Sequence, residues 1–296
     1  MRVFVTGAAG FIGTETTKEL IASGHQVVGL ARSDDNVRTL EQLGAEVHRG
    51  SLQDLDSLKR GATDADGVIH LAFIHDFARF AENGAIDKAA IEAMGEVLAG
   101  SNKPFIVTSG TALIASGVVV TEDMRRDSSA HAPRVSEQAG LAYASRGVRA
   151  MAIRLPQVHG APGKAGLISY LVEGARRKGA AAYVGEGAER WAAAHRPDVA
   201  RLYRLALEKG TAGAIYHAVG EEGVPMRQVI DVIGRALNVP VVSIRKEEAA
   251  DYYGPLGMFA GLDMPASSAL TQQRLGWTPT GIGLIADISQ PGYFTT

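Results

Sequence analysis

The segment that decides the fold is MRVFVTGAAGFIG, at Met1–Gly13. Its first part, Arg2–Thr6, contains three consecutive apolar residues, which predict a short buried β-strand. A turn with three glycines at fixed offsets follows: Gly7, Gly10 and Gly13. We expect Gly7 to permit a tight turn, Gly10 to let the backbone approach a pyrophosphate, and Gly13 to let a helix pack against the strand.

The residues after this turn complete a dinucleotide-binding pattern. A helix is expected over Thr14–Ser23 with Gly24 as its stop, and a second strand is expected over His25–Ala31. The free N–H groups at the start of this helix would hold a pyrophosphate. Because 35 of the 296 residues are glycine, the three glycines alone are a weak signal, and a purely structural turn is the alternative. The strands on either side favour a bound cofactor.

The end of the second strand indicates which coenzyme is bound. In such folds an acidic residue there binds a free 2′-hydroxyl, whereas an arginine accommodates a 2′-phosphate. Here the residues are Ala31, Arg32 and Ser33, and the planar guanidinium of Arg32 suits a phosphate. We therefore predict NADP(H), with NAD(H) less favoured. The alternative is a solvated Arg32 that pairs with Asp34 or Asp35.

The composition excludes several classes of function. A formal net charge of −2 offers no basic surface for nucleic acid. The absence of cysteine excludes disulfides, thiolate nucleophiles and cysteine metal sites, and we expect no metal. No apolar run reaches membrane-spanning length, and the first residues predict a core strand rather than a signal peptide. We expect a cytoplasmic protein whose partner is a small-molecule substrate, not a membrane or nucleic acid.

Strands and helices alternate along the first half of the chain. This alternation predicts an α/β fold with a Rossmann-type, doubly wound parallel sheet. From about Gly160 the pattern changes to shorter, mixed elements. We predict a dinucleotide-binding domain at residues 1–160 and a smaller mixed α/β substrate domain at residues 161–296, some of whose elements return to the first. Further strands are expected at 46–48, 66–73, 104–107, 148–155, 181–184, 190–195, 214–219 and 241–244. Further helices are expected at 35–43, 54–62, 77–98, 133–146, 166–178, 198–208, 226–237 and 267–276.

Several stretches together resemble the extended short-chain dehydrogenase/reductases, also called the NAD-dependent epimerase/dehydratase family. TGAAGFIG at residues 6–13 resembles the cofactor motif of that family, and LQDLDSLKRGATDADGVIHLA at 52–72 resembles the segment between its third and fourth strands. Three later stretches are also similar: VRAMAIRLPQVHG at 148–160, HRPDVARLYRLALE at 195–208 and LGWTP at 275–279. The resemblance covers nearly the whole chain and is more specific than the glycines alone.

The resemblance implies further cofactor-binding residues. Within the motif it adds Phe11 and Ile12 to the three glycines. Asp54 matches the acidic position after the third strand, and Leu71 and Ala72 match the strand end that lies along the cofactor. Family members are often dimers, so a homodimer is also implied.

The chain departs from this family at the catalytic residues. The family has a tyrosine and a lysine, as Y-x-x-x-K, on the helix after the fifth strand. Aligning Ser136, Glu137 and Gln138 with the acidic helix position of the family places Ser129 and Pro133 at those two positions. The resemblance therefore implies the fold and the coenzyme, but an atypical acid/base mechanism.

Hydroxyl groups and histidines are the remaining candidates for chemistry. Ser109 or Thr111, after the fifth strand, would polarise a carbonyl, although both hydroxyls could instead cap the turn. A histidine is the best proton carrier near neutral pH. His75, followed by Asp76, and His159 come just after strands, where open α/β sheets bind ligands. The other loop histidines are His131, near the vacated tyrosine position, and His195, which resembles a structural histidine of the family. For each of them a hydrogen-bonded structural role is the alternative.

These features predict an NADP(H)-dependent oxidoreductase. It would reduce a carbonyl, imine or activated alkene, with the hydride supplied by the coenzyme. A non-catalytic NAD(P)-binding sensor is the first alternative, and a sugar-nucleotide epimerase, which normally needs the tyrosine, is the second. Met258, Phe259, Leu262 and Met264 predict either an apolar cover over a largely apolar substrate or simple core packing.

Overall fold

A computed structural model of the chain describes residues 1–76, 79–112, 114–126, 134–162, 166–254 and 257–294, without the side chain of Met258. The strands of these residues are β1 (Arg2–Thr6), β2 (Gln26–Ala31), β3 (Glu46–Arg49), β4 (Gly67–His70), β5 (Pro104–Gly110), β6 (Arg149–Leu155), β7 (Gln157–His159), β8 (Ala181–Val184), β9 (Arg190–His195), β10 (Ile215–His217), β11 (Glu221–Pro225) and β12 (Val241–Ile244). The helices are α1 (Phe11–Ala22), α2 (Asp34–Gln42), α3 (Leu55–Thr63), α4 (Phe80–Leu98), α5 (Ser136–Leu141), α6 (Ile168–Lys178), α7 (Arg196–Lys209), α8 (Met226–Leu237), α9 (Ala249–Tyr253), α10 (Gly257–Ala260), α11 (Ala269–Leu275) and α12 (Leu284–Ile288).

The larger of the sheets has seven parallel strands in the order β10-β6-β5-β4-β1-β2-β3. The chain proceeds from β1 through β2 to β3 on one side and from β4 through β5 to β6 on the other. The order therefore reverses between β1 and β4, and open α/β sheets bind their ligands at such a reversal. The predicted doubly wound, Rossmann-type fold is confirmed.

Both faces of this sheet are covered by helices. Successive side chains of a strand point to opposite faces, so Val3 and Val5 pack into one core cluster and Phe4 into another. Helices α1 and α7 contribute to the first cluster through Leu20 and Leu202. Helices α3 and α4 cover the other face. This burial on both sides explains the nearly continuous apolar runs of the inner strands.

The second part of the chain forms two smaller sheets around its own core. Strand β9 pairs in parallel with β7 and antiparallel with β11, and β8 pairs in parallel with β12. Strand β10 instead joins the large sheet beside β6. The apolar stretch near residue 260 packs into the core here: Met264 is buried, and Phe259 and Leu262 pack against the same cluster. Core packing therefore accounts for these three residues, whereas the predicted cover over a substrate stays a prediction and the Met258 side chain lies outside the described residues.

Several element boundaries differ from those predicted. Helix α1 begins at Phe11 rather than Thr14, because Gly10 already serves as its N-cap. Strand β5 continues through its polar end to Gly110, since pairing with β6 extends to Leu155. The predicted helix at 133–146 is a six-residue α5 followed by a 3₁₀ turn that ends at Gly147, whose φ is +74°. Strands β7 and β11 and helix α12 were not predicted.

Candidate active site

The glycine turn is shaped by close backbone contacts. Gly7 has a φ of +70°, and a Cβ atom there would lie 2.8 Å from the backbone nitrogen of Ala72. A Cβ atom on Gly13 would lie 1.9 Å from the carbonyl oxygen of Gly7. The Gly10 N–H donates to the same oxygen at 2.9 Å. Glycine is therefore required at Gly7 and Gly13 for α1 and the end of β4 to approach the turn.

The N-terminus of α1 presents uncapped amides at this turn. Gly10, its N-cap, provides no side-chain hydrogen bond to the first turn among the described residues. Phe11 and Ile12 are half-buried and pack against the core below. Arg196 donates to the carbonyl oxygen of Phe11 at 3.0 Å and forms an ion pair with Glu15 at 3.1 Å. Free N–H groups on a fixed helix end suit a phosphate, so the turn fits the pyrophosphate of a dinucleotide.

Arg32 is exposed at the end of β2 and has no hydrogen-bond or ion-pair partner among the described residues. Asp34 instead forms an ion pair with Arg49 at 2.7 Å. Asp35 forms an ion pair with Arg38 within α2. The pairing of Arg32 with its acidic neighbours is therefore not observed, and its guanidinium is available at the carboxyl edge of the sheet.

The other cofactor-binding positions implied by the family resemblance, Asp54, Leu71 and Ala72, form hydrogen bonds within the protein. Asp54 is the N-cap of α3 and accepts a hydrogen bond from the Ser57 N–H at 3.0 Å. The Leu71 N–H donates to the carbonyl oxygen of Thr6 at 3.2 Å. The Ala72 N–H donates to the Thr6 hydroxyl at 3.2 Å. These bonds hold the end of β4 against the glycine turn.

A buried hydrogen-bonded chain extends from β1 toward the start of α5. Thr6 Oγ1 lies 2.8 Å from His70 Nδ1, and His70 Nε2 lies 3.1 Å from Asp87 Oδ1. Ser136 donates to Asp87 Oδ2 at 2.5 Å and accepts from Arg134 Nε at 2.8 Å. Burial raises the pKa of Asp87, but hydrogen bonds from His70 and Ser136 and nearby positive charge outweigh it and lower that pKa overall. Asp87 is therefore a buried carboxylate anion.

Arg134 is fixed above the ends of β4 and β5. Its guanidinium carbon lies 3.9 Å from the centroid of the Phe73 ring, and its Nη2 donates to the carbonyl oxygen of Thr108 at 2.9 Å. Phe73 in turn contacts His75 edge-on, with ring centroids 5.2 Å apart. Desolvation lowers the pKa of His75, and the charge of Arg134 lowers it further, against the charge of Asp87. We call these residues the Arg134 cluster: Phe73, His75, Asp87, Arg134 and Ser136. The cluster lies near the carboxyl ends of β4 and β5, at the crevice next to the reversal of strand order.

The two predicted hydroxyls are already used as donors. Ser109 donates to Glu137 Oε2 at 3.0 Å, and Thr111 donates to the carbonyl oxygen of Leu155 at 3.4 Å. Glu137 is itself held by Arg154, whose Nε and Nη2 each donate to the carboxylate at 2.7 Å. A hydroxyl has one proton to donate, so Ser109 and Thr111 would have to break these bonds to polarise a substrate. Their catalytic role stays a prediction.

His159 lies in a different environment from His75. It is fully buried in β7, where its Nδ1 lies 2.8 Å from Asp287 Oδ2 and its ring lies 5.5 Å from that of His195. The hydroxyl of Tyr293 donates to the same carboxylate oxygen at 3.0 Å. Burial lowers the pKa of His159 despite the opposing effect of Asp287. His131 lies outside the described residues.

Sequence reasoning missed the residues that organise the Arg134 cluster. Arg134 directly follows Pro133, the position matched to the family lysine, so its place in the sequence was an available signal. Asp87 lies on the buried face of α4 together with Ile91 and Met94, where a carboxylate needs a partner. Tyr203, whose hydroxyl lies 2.8 Å from Thr108 Oγ1, gave no such signal.

Comparison with known proteins identifies relatives over the full length of the chain. The sequence model of the NAD dependent epimerase/dehydratase family matches residues 3–219. An uncharacterized protein of Schizosaccharomyces pombe is 47% identical over 296 residues, which cover 99% of this chain and 100% of the relative. An uncharacterized protein of Saccharomyces cerevisiae is 48% identical over 292 residues, which cover 97% and 98% of the two chains.

More distant matches have named activities. The decarboxylating sterol-4-alpha-carboxylate 3-dehydrogenase of Dictyostelium discoideum is 27% identical over 248 residues, 76% of this chain and 73% of the relative. The solved structure of a dTDP-glucose 4,6-dehydratase from Streptomyces venezuelae, with NAD and TYD bound, matches with a TM-score of 0.77 at 19% identity. That alignment covers 99% of this chain and 96% of the dehydratase and shows a shared fold.

The structure also bears on two other kinds of site. No helix within the described residues is long and apolar enough to cross a membrane. The same residues contain no group of three or more histidine, cysteine, aspartate or glutamate side chains that could hold a metal ion.

Proposed function

Because the chain belongs to the NAD dependent epimerase/dehydratase family, we propose that it is an NADP(H)-dependent oxidoreductase. Its reaction is the reduction of a carbonyl, imine or activated alkene in a small, largely apolar substrate. The name of the Dictyostelium relative, a sterol dehydrogenase, supports redox chemistry on an apolar substrate. The dehydratase with the same fold was solved with NAD, which supports a nicotinamide coenzyme.

The observation that carries this proposal is an uncapped glycine turn together with Arg32, which has no hydrogen-bond or ion-pair partner among the described residues. The amides at the start of α1 would hold the pyrophosphate of the coenzyme. Arg32, one strand away at the same edge of the sheet, would hold the 2′-phosphate that distinguishes NADP(H). Leu71 and Ala72, fixed against the turn by Thr6, would line the coenzyme. When bound, the coenzyme supplies the hydride.

We assign proton delivery to His75, with His159 or water as the other candidates. Ser109 or Thr111 remains a predicted donor to the polar atom of the substrate. His75 is the predicted histidine that lies with Arg134 at the crevice. Its lowered pKa makes the protonated ring a stronger acid but a minor species near neutral pH. Reduction that depends on this proton should therefore accelerate as the pH falls toward the pKa of His75.

The coenzyme proposal is tested by fluorescence titration of the protein with NADPH and NADH. The wild-type protein should bind NADPH more tightly. Arg32→Ala should weaken NADPH binding about tenfold to a hundredfold, since a hydrogen bond to a charged group contributes roughly 1.5–3 kcal/mol. NADH binding should be unchanged, because NADH lacks the 2′-phosphate.

Arg38→Ala is the matched control, because Arg38 is an exposed arginine nearby that pairs with Asp35. It should bind both coenzymes as the wild-type protein does. Equal affinities of the wild-type protein for NADPH and NADH would refute the preference. Tight coenzyme binding without turnover of any carbonyl, imine or alkene would favour the non-catalytic sensor.

A further inference from the structure

The proposed reduction needs a hydrogen-bond donor to the substrate atom that becomes negatively charged when the hydride adds to the neighbouring carbon. The alignment on Ser136, Glu137 and Gln138 predicts Ser129 and Pro133 at the positions where the related family has its tyrosine and lysine. Ser109 and Thr111 already donate their protons to Glu137 and to a backbone carbonyl. A donor with protons to spare, fixed at the carboxyl edge of the sheet, must therefore come from elsewhere.

Arg134 has this property. Its Nε donates to Ser136, its Nη2 donates to the carbonyl oxygen of Thr108, and its guanidinium lies over the ring of Phe73. Its Nη1 has no hydrogen bond to a described residue. A donor that is held on three sides before the substrate arrives loses little free energy to reorganisation during the reaction.

Arg134 also lies at the edge of the sheet where a substrate would bind. Thr108 lies at the end of β5, and Phe73 follows β4, the strand next to the reversal between β1 and β4. Ligands of open α/β sheets bind outside the carboxyl ends of the strands at such a reversal. Arg134 therefore borders the crevice where the glycine turn would place the coenzyme.

The positive charge of Arg134 is balanced by the carboxylate of Asp87 through an intervening serine hydroxyl. Ser136 stands between it and Asp87, donating to the carboxylate and accepting from the guanidinium. Burial lowers the pKa of Arg134 and the charge of Asp87 raises it, and the guanidinium stays protonated. Arg134 thus keeps a fixed positive charge in a partly desolvated place, where it acts strongly on charge that develops nearby.

We propose that Arg134 donates to the oxygen of a neutral carbonyl substrate and stabilises the negative charge that forms there during reduction. The proposal rests on the function proposed above and narrows its substrate class. In the step, the carbonyl carbon gains a hydride from the reduced coenzyme, which becomes oxidised, and the π-electrons of the C=O bond move to oxygen. One proton from His75 or solvent completes the hydroxyl group.

The same charge selects against one of the alternative substrates. An imine is usually reduced as its protonated iminium form, which is already positive. A fixed guanidinium repels that cation but attracts the oxygen of a neutral aldehyde or ketone. We therefore infer that aldehydes and ketones, rather than iminium ions, are the substrates of this site.

The test compares NADPH oxidation by the wild-type protein with 4-nitrobenzaldehyde and with 2-methyl-1-pyrroline, an imine that is largely protonated near neutral pH. The aldehyde should be reduced and the imine should not. Arg134→Ala should lower kcat for the aldehyde about 100-fold to 1000-fold, the effect typical of removing one donor to a developing oxyanion. NADPH affinity, measured by fluorescence, should not change.

Four further measurements test this role and its electrostatic basis. Added guanidinium ion at low concentration should restore part of the activity of Arg134→Ala, and Arg134→Lys should retain part of it. In coenzyme-free Arg134→Ala, NMR titration should show the pKa of His75 raised, because the Arg134 charge that lowers it is gone. Arg227→Met, which removes another guanidinium that lies over an aromatic ring, that of Tyr183, should behave as the wild-type protein.

The outcomes distinguish the two proposals. If no carbonyl compound, imine or activated alkene supports NADPH oxidation by the wild-type protein, the proposed function fails and this inference fails with it. If the wild-type protein reduces the aldehyde and Arg134→Ala does so at the same rate, this inference alone is overturned. Faster reduction of the imine than of the aldehyde also overturns it and leaves an oxidoreductase of a different substrate class.

Discussion

Within the described residues, two buried histidine–aspartate pairs have similar nitrogen–oxygen distances but different surroundings. His70 Nε2 and Asp87 Oδ1 lie 3.1 Å apart between β4 and α4, and His159 Nδ1 and Asp287 Oδ2 lie 2.8 Å apart between β7 and α12. Both ring nitrogens of His70 have partners. The Nε2 of His159 is buried and has no partner among the described residues.

The residues that contact each aspartate, rather than the histidine–aspartate pair itself, distinguish the two pairs. Asp87 connects through Ser136 to Arg134 and thus to the crevice. Asp287 connects to Tyr293, whose hydroxyl also accepts from the Gly160 N–H, and so fastens the end of the chain to the second part of the fold. The first pair therefore connects to the residues of the proposed reaction, whereas the second connects β7 to α12 and Tyr293.

The largest expected effect is a difference in the free energy of unfolding between variants of Asp87 and Asp287. Asp87→Ala should lower the free energy of unfolding by about 3–5 kcal/mol, because it leaves the Arg134 guanidinium without its buried counter-charge. Asp287→Ala should cost about 1–3 kcal/mol, since it leaves only neutral donors unpaired. Urea denaturation of both variants measures the difference. Equal losses would show that the two pairs are equivalent.

A second effect concerns the pH dependence of stability. Burial lowers the pKa of His159 and lowers that of His217 to about 4. The unfolded chain binds protons at these rings below about pH 6.5, whereas the folded protein binds them only at lower pH. The free energy of unfolding should therefore be constant above neutral pH and fall as the pH decreases from about 6.5.

The variant His159→Gln tests the share of one ring in this dependence. It should flatten the fall in stability at acidic pH, because one of the groups with a lowered pKa is absent. Urea denaturation of the variant and the wild-type protein between neutral and acidic pH provides the measurement. Parallel pH profiles would show that His159 has an ordinary pKa in the folded protein.

The smallest expected effect tests the link between Asp87 and Arg134. Ser136→Ala removes the hydroxyl between them and should lower kcat for an aldehyde about threefold to tenfold, the loss expected from one hydrogen bond of about 1 kcal/mol. Ser145→Ala is the control, because the hydrogen bond of that hydroxyl within the described part of the chain is to the nearby Ala142 carbonyl oxygen. A Ser136→Ala variant as active as the control would separate Asp87 from the chemistry.

What could be predicted from the sequence was local. The strand, turn and helix at Arg2–Thr6, Gly7 and Phe11–Ala22 follow from neighbouring residues, and the alternation of strands and helices gave the sheet. Contacts between distant residues could not be predicted in the same way. Ser136 meets Asp87 across 49 positions of the chain, and His159 meets Asp287 across 128.

These long-range contacts determine which polar atoms of the candidate residues already have hydrogen-bond partners. His159 follows a predicted strand, as a catalytic residue would, but the unpredicted α12 brings Asp287 onto its ring. Ser109 stands at the predicted strand end, but α5 brings Glu137 to its hydroxyl. The positions were visible in the sequence, and the partners that occupy their polar atoms were not.

We propose that the glycine turn and Arg32 bind the phosphates of NADP(H). Isothermal titration calorimetry of the wild-type protein with NADPH and NADH, and with their oxidised forms, measures this binding. We expect saturable heat for NADPH with one coenzyme bound per chain, and weaker binding of NADH. The absence of heat with all four coenzymes would refute the proposed coenzyme site.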